Sequence, residues 1–376
     1  MPTTQPDLKI EIVRNPPRHR PPCPFVVDDG HRPEVAELRE RFELEKRVEG
    51  ALDRWEAILQ ISHWLGSSNR YGWPPEDVPL DARAILDAIL NKGWKFNCCH
   101  LPAVMGQVAH ALGYGVRDVW CGYNGELFQD ACHHGSTEVW VDGLDKWVYV
   151  DALHSLHFER AGQPLGILEI HNAAGEGALA EVECVKGDQR FPMPTASEPE
   201  AHKEVYRQFE AGLITSPHPT GGLFFWFLVS MHNAWFANLH HNPEMWGRVL
   251  FYRDRHNAEK VWFQQIPPGT GARMYHWVYW AMDAMEVWSD YQVNFPLNQV
   301  HLDWQEKEDG LALSFETTCP NFTAFEVALD GGAPTDVTDP LFQWRLHPGE
   351  NRLTVCTRNL FGVRGTASEL KANGGG

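Results

Sequence analysis

Cys98, His134 and Asp151 are three residues whose types could act together in one reaction. A cysteine nucleophile needs a lowered thiol pKa, a base within reach and a third group that orients the base. Cys98 precedes an apolar stripe, Leu101, Val104, Met105, Val108 and Leu112, which predicts a helix over 98–112 with Gly113 as its stop. A thiol at a helix start faces unpaired backbone N–H groups and the positive end of the dipole, and both favour thiolate. His134 opens one strand-like run and Asp151 closes the next, so an antiparallel pair would make them neighbours on one face. Each residue alone has a plain reading: a core cysteine, a strand histidine, a turn-forming aspartate. The weight lies in the three together.

The elements that would position them follow from the patterns around them. Val48, Leu52, Trp55 and Leu59 share one helical face in a run from 34 to about 65. A helix fits 81–92, with Asp81 as its cap and Gly93 in the left-handed position after its end. The pattern then turns to β-branched and aromatic runs at 116–121, 136–141 and 146–151, with Asp142-Gly143 between the last two as a hairpin signal. Helices first and antiparallel strands afterwards predict an α+β core. Residues 1–30, with LKIEIVR as a short strand and two Pro-Pro pairs, read as an extended arm. The core is expected over 31–190 and an aromatic-rich cap or extension over 191–296. Short strands at 299–304, 311–317, 323–329, 341–345 and 351–357 predict a β-sandwich over 297–370.

The 376 residues are enough for two or three domains, and 43% apolar against 22% charged residues describes a globular chain. A formal charge of −18 repels nucleic acid and anionic lipid. No apolar run reaches the roughly 18 residues of a membrane span, and the N-terminus lacks the basic start and apolar stretch of a signal peptide, so a cytoplasmic location is the default expectation. Cys23, Cys98, Cys99, Cys121, Cys132, Cys184, Cys319 and Cys356 are too thinly spread for a disulfide scaffold. Oligomeric state is not legible in these features.

Four stretches together resemble the transglutaminase-like superfamily: Asn97-Cys98-Cys99-His100-Leu101-Pro102-Ala103, Leu112-Gly113-Tyr114-Gly115-Val116-Arg117, His134-Gly135-Ser136-Thr137-Glu138-Val139-Trp140 and Lys146-Trp147-Val148-Tyr149-Val150-Asp151. The resemblance covers about 45 to 170. It implies a papain-like core, with Cys98 as nucleophile, His134 as base, Asp151 as orienting carboxylate and Trp64 as an upstream contributor to the oxyanion site. The C-terminal sandwich lies outside that stretch, and it is the spacing of its short strands that leads it to be expected as Ig-like. Two departures stand out. Pro102 occupies the position where the family has alanine, which leaves Cys99 an alternative nucleophile, and Ser136 replaces the family's tryptophan two residues after the histidine.

No cofactor or metal is expected. Cys98-Cys99-His100 and Cys132-His133-His134 have the composition of zinc ligands without the spacing of common structural sites. The aromatic band from Phe224 to Trp288, including Trp226, Trp235 and Trp246, reads either as packing or as a cleft wall for a peptide or glycoconjugate substrate. The leading expectation is a cysteine-dependent hydrolase or acyltransferase that cleaves an amide-type bond through a thioester. Hydrolysis is preferred over cross-linking because no amine site or calcium loop is marked. The alternatives are a carbohydrate-active or glycan-binding protein on the same scaffold, and a non-enzymatic interaction module.

Overall fold

Capping chemistry decides where the helices of this chain begin and end. The computed structural model describes residues 8–18, 21–122, 125–126, 133–193, 221–236, 248–257, 261–262 and 285–374. After strands β1 (Lys9–Arg14) and β2 (Val26–Val27) come helices α1 (Pro33–Arg41), α2 (Leu44–Arg47), α3 (Arg54–Ser68), α4 (Ala82–Lys92) and α5 (Leu101–Ala111). The single helical run expected from 34 to 65 is three helices. Glu43 takes a left-handed φ of 51° and Gly50 one of 84°, and Asp53 opens α3 afresh by accepting the Glu56 N–H. The expected stripe is therefore replaced. Leu52 is 92% exposed, and α3 buries Ala57, Ile58, Ile61, Ser62 and Leu65 instead. α4 follows its sequence signals, with Asp81 accepting the Arg83 N–H and Gly93 at φ 64°.

α5 starts three residues later than its stripe suggests. Pro102 has no N–H to donate and is tolerated only in the first turn, so Leu101 is the first helical residue. Cys98, Cys99 and His100 form a turn ahead of it. Asn97 holds that turn: its Oδ1 accepts the Cys99 N–H at 2.9 Å, and its carbonyl accepts the N–H groups of His100 and Leu101. Every residue of α5 is buried, which makes it the central helix of its unit.

The chain then passes through β3 (Val116–Gly122), β4 (Gly125–Glu126), β5 (His133–Val141), β6 (Lys146–Val150), β7 (His157–Arg160), β8 (Gln163–Pro164), α6 (Ile167–Gly175), β9 (Val182–Lys186) and β10 (Gln189–Pro192). Further strands are β11 (Trp226–Ser230), β12 (His232–Asn233), β13 (Val249–Tyr252), β14 (Val261–Trp262) and β15 (Met285–Val287). A six-stranded sheet runs β15-β13-β11-β3-β5-β6, antiparallel except for the β13–β15 pair, and α5 packs on β3 and β5. Strands β7 to β10 form a separate antiparallel sheet. Inside the larger sheet Arg117 and Glu138, paired in register, form a fully buried ion pair. Both Nε and Nη2 of Arg117 donate to Glu138 Oε2, and Glu138 Oε1 accepts the N–H of Ile167 at the start of α6.

Contacts divide the chain into two compact units: Met1–Arg20, Asp142–Asp145 and Phe295–Gly376, and Pro21–Val141 with Lys146–Asn294. The first contains β1, β16 (Val300–Lys307), β17 (Gly310–Thr317), β18 (Phe322–Leu329), β19 (Thr335–Val337), β20 (Leu341–Arg345), β21 (Gly349–Asn359) and β22 (Ser368–Gly374). Sheets β1-β22-β21-β18-β19 and β16-β17-β20 bury one core that includes Leu302, Phe315, Phe325, Trp344 and Leu353. The short strand expected in LKIEIVR is β1, antiparallel to β22. The architecture as a whole is mixed, with few helices and mainly antiparallel sheets, compatible with α+β. Among the described residues no helix is long and apolar enough to cross a membrane.

Candidate active site

The hairpin of β5 and β6 brings His134 and Asp151 together. The register pairs Thr137 with Val150, so His134 sits on a diagonal from Asp151, the residue after β6. Ser136 and Thr137 both donate hydroxyl hydrogen bonds to the Val150 carbonyl, at 2.7 and 2.9 Å, which ties the two strands together beside the pair. Ser136 is thus a buried structural contact of the hairpin. His134 Nε2 donates to Asp151 Oδ2 at 2.8 Å, and both side chains are buried.

Cys98 faces the same imidazole. Burial alone would lower the His134 pKa, but the Asp151 charge and hydrogen bond, and then a side-chain interaction with Cys98, outweigh it and raise it to about 10. Nε2 is committed to Asp151, so Nδ1 is the nitrogen left for the thiol, and it has no hydrogen bond of ordinary geometry. Cys98 and Cys99 are half-buried. The Cys99 thiol is held well above its ordinary pKa by its hydrogen bond to Cys98 and by burial, while its N–H is spent on Asn97. Burial pushes the neighbouring His100 down to about 4, so its ring is neutral near pH 7, and its Nδ1 lies 3.0 Å from Asn97 Oδ1.

Sequence reading missed two residues here. His154 Nδ1 donates to Asp151 Oδ2 at 2.7 Å, the same oxygen that His134 uses. Burial would push the Asp151 carboxyl up, yet the two imidazoles, His154 and then His134, hold it well below the usual carboxylate range. Gly135 is the second: a side chain there would collide with the backbone of Cys98. A glycine inside a strand is the signal that could have found it, since it marks a close approach of another backbone. For His154 the available signal was an aspartate followed three residues later by a histidine in a turn.

His134, Asp151 and His154 also place three potential metal-ligand atoms within 4.8 Å of one another, a spacing that suits a small cation. The two nitrogens lie 2.8 and 2.7 Å from one carboxylate oxygen, distances that an imidazole N–H donated to a carboxylate accounts for. Of the residues that have the composition of zinc ligands without the spacing, Cys132 and the side chain of His133 lie outside the described residues.

The other expected site residues have the following surroundings. Trp64, on α3, is half-buried with the Arg47 guanidinium 3.8 Å above its ring, and no described hydrogen bond or ring contact joins it to Cys98, His134 or Asp151. Trp226 is 1% exposed, and its ring lies over Gly122 where a Cβ would be 2.2 Å away. Trp235 is buried beside His232. These two rings are packed in the interior, where they line no open surface. Trp246 lies outside the described residues.

No family model matches the chain, and no curated protein matches it. Among solved structures it is similar to red sea bream transglutaminase at 11% identity and a TM-score of 0.26, over 92% of this chain and 74% of that one. A likeness at that level has no bearing on fold or mechanism.

Proposed function

We propose that this chain is a cysteine-dependent acyl-transfer enzyme on a transglutaminase-like core, acting on an amide-type bond of a peptide or glycoconjugate. In this reading Cys98 is the nucleophile, His134 the proton carrier and Asp151 the carboxylate that orients it. The observation that carries the proposal is the two-sided use of one imidazole, with buried Asp151 on Nε2 and the half-buried Cys98 thiol as partner of the ring. A thiolate and imidazolium held beside a buried carboxylate is the arrangement a cysteine nucleophile requires. Cys98 is preferred over Cys99 because His134 interacts with Cys98, while the Cys99 thiol is kept protonated.

Cys98 sulfur bonds to the amide carbon, the C–N bond breaks, and the departing nitrogen takes the proton from His134. Water or an amine then gives a proton to His134 as it bonds to the acyl carbon, and the C–S bond breaks to restore the thiolate. The glycan-binding alternative rests on the aromatic band, whose members Trp226 and Trp235 are buried, so nothing described favours it. The two-sheet C-terminal unit is read as an Ig-like accessory domain, and 191–296 as an extension of the core; the common core of the two sheets supports the first of these.

The test is alkylation by iodoacetamide at neutral pH with the modified peptide identified by mass spectrometry. Rapid, selective modification of Cys98, lost in Cys98→Ala and slowed in His134→Gln, is expected. Modification no faster than that of an ordinary thiol would overturn the proposal.

A further inference from the structure

We infer that His154 is a positioning residue for the site proposed above, holding Asp151 so that one carboxylate oxygen fixes the proton on His134 Nε2 and leaves Nδ1 as the basic nitrogen. The inference rests on the acyl-transfer reading and adds a fourth residue to it. Asp151 is fully buried and accepts three hydrogen bonds: His134 Nε2–H and His154 Nδ1–H on Oδ2, and the His154 backbone N–H on Oδ1 at 3.2 Å. A carboxylate oxygen offers two lone pairs in its plane, and both on Oδ2 are taken. The backbone donor would remain with any residue at 154, so what histidine adds is the second donor on Oδ2, which together with His134 sets the rotation of the carboxylate. Because a carboxylate can only accept, each imidazole must carry its proton on the nitrogen that faces it. His134 is then fixed in the tautomer a general base needs.

The turn that carries His154 is built for this placement. Asp151 and Leu156 close it with a pair of backbone hydrogen bonds at 2.9 and 3.1 Å, and Ser155 takes a left-handed φ of 56°. A left-handed φ at a non-glycine residue costs about 1 kcal/mol or more and persists where its surroundings impose it. Gly66 of α3 makes room: a Cβ there would stand 2.0 Å from Ser155 Oγ and 2.7 Å from the Ala152 carbonyl. A phenylalanine at 154 could fill the same space, but it would leave a buried carboxylate one donor short on Oδ2.

The titratable groups around Asp151 are His134 on β5, His154 in its own turn, Cys121 on β3, and Cys184 and Lys186 on β9, with Cys98 beyond His134. Burial raises the Cys121 and Cys184 thiols and lowers Lys186. Of these groups, only the two imidazoles hydrogen-bond to the carboxylate.

The experiment follows the rate of Cys98 alkylation against pH in the wild type, His154→Phe and His154→Asn, with melting temperatures for each. Without the His154 donor Asp151 is less readily ionised, the imidazolium loses its counter-charge, and the thiolate forms at higher pH. The acid limb in His154→Phe should move up by about one pH unit, a roughly tenfold slower reaction on that limb. His154→Asn, whose amide N–H stands near the place of Nδ1–H, should move it back. A lowered melting temperature with the limb unmoved in both variants overturns the inference and leaves the acyl-transfer reading intact. An inert Cys98 in the wild type overturns both. Should His154→Phe not fold, nitrogen-15 NMR of histidine-labelled wild type decides: an exchange-protected proton on His154 Nδ1 supports the assignment, and its absence removes it.

Discussion

A Cβ on Gly135 would lie 2.6 Å from the carbonyl oxygen of Cys98 and 2.8 Å from Cη2 of Trp120. Residue 135 therefore fixes how closely the turn carrying the thiol approaches the strand carrying the imidazole. Backbone cannot yield as the end of a flexible side chain can, so Gly135→Ala has to move the Cys98 turn or the start of β5. We expect stability to fall by about 1–3 kcal/mol, the usual cost of overpacking, with the rate of Cys98 alkylation falling at least tenfold at neutral pH. Denaturant unfolding and alkylation kinetics on the same preparation check this. Unchanged thiol reactivity in a folded Gly135→Ala protein would show that the close approach does not govern the site.

The two cysteines differ in a way that mutagenesis can read. Cys98→Ala removes the thiol that interacts with His134, and Cys99→Ala removes one that is held protonated and bonded to Cys98. The first variant should lose rapid alkylation altogether, with the fold retained, since residue 98 lies in a turn ahead of α5. The second should keep most of the reactivity. Rapid reaction that survives in Cys98→Ala and disappears in Cys99→Ala would move the nucleophile by one residue.

The legible parts of this chain were those in which local chemistry acts alone. Asp81 and Gly93 bound α4 because a cap and a left-handed residue work within one turn of backbone. The β5–β6 hairpin was legible because its strands are rich in β-branched and aromatic residues and Asp142-Gly143 lies between them. The stripe through Val48 and Leu52 misled because it matched helical spacing across Gly50, whose left-handed backbone stands between α2 and α3. Pro102 marked the delay of α5, but which turn would absorb it depended on Asn97 folding back on Cys99 and His100. His154 was missed for a different reason. Its role exists only when the turn after β6 closes and Gly66 of a helix more than eighty residues earlier makes room for it.

Glu138, four residues after His134, belongs to the scaffold of the site. It holds Arg117 with one oxygen and the start of α6 with the other, in a pair with no solvent exposure. Removing one partner of such a pair strands a buried charge, at a cost of about 3–5 kcal/mol. Glu138→Gln should lower the unfolding free energy, measured by urea titration, by that margin. The double variant Arg117→Met/Glu138→Leu should recover much of the loss, because an apolar pair of similar volume strands no charge. If the double variant were as unstable as the single one, the Arg117 hydrogen bond to the Val293 carbonyl would be the contact that matters.

The Asp151–His134 pair makes stability depend on pH with a definite sign. The His134 pKa is raised to about 10, against about 6.5 in an unfolded chain. A group raised on folding stabilises fully below its unfolded value, and that contribution fades as pH rises through its folded value. Asp151 is shifted the other way, so its contribution is present above about pH 4 and is lost only as pH falls through its depressed value. Between pH 6.5 and 10 the folded protein thus holds a proton on His134 that the unfolded chain has released. Its stability should decline there by about 1 kcal/mol per pH unit from this group. In Asp151→Asn the counter-charge is gone, burial dominates, and His134 is neutral in both states across the same range. The gap in unfolding free energy between the two proteins, measured in a Cys98→Ala background to remove the thiol's own titration, should be widest near pH 6 and close steadily toward pH 10. A gap that stays constant over that range would mean that His134 is not charged beside Asp151, and the thiolate–imidazolium pair would lose its physical basis.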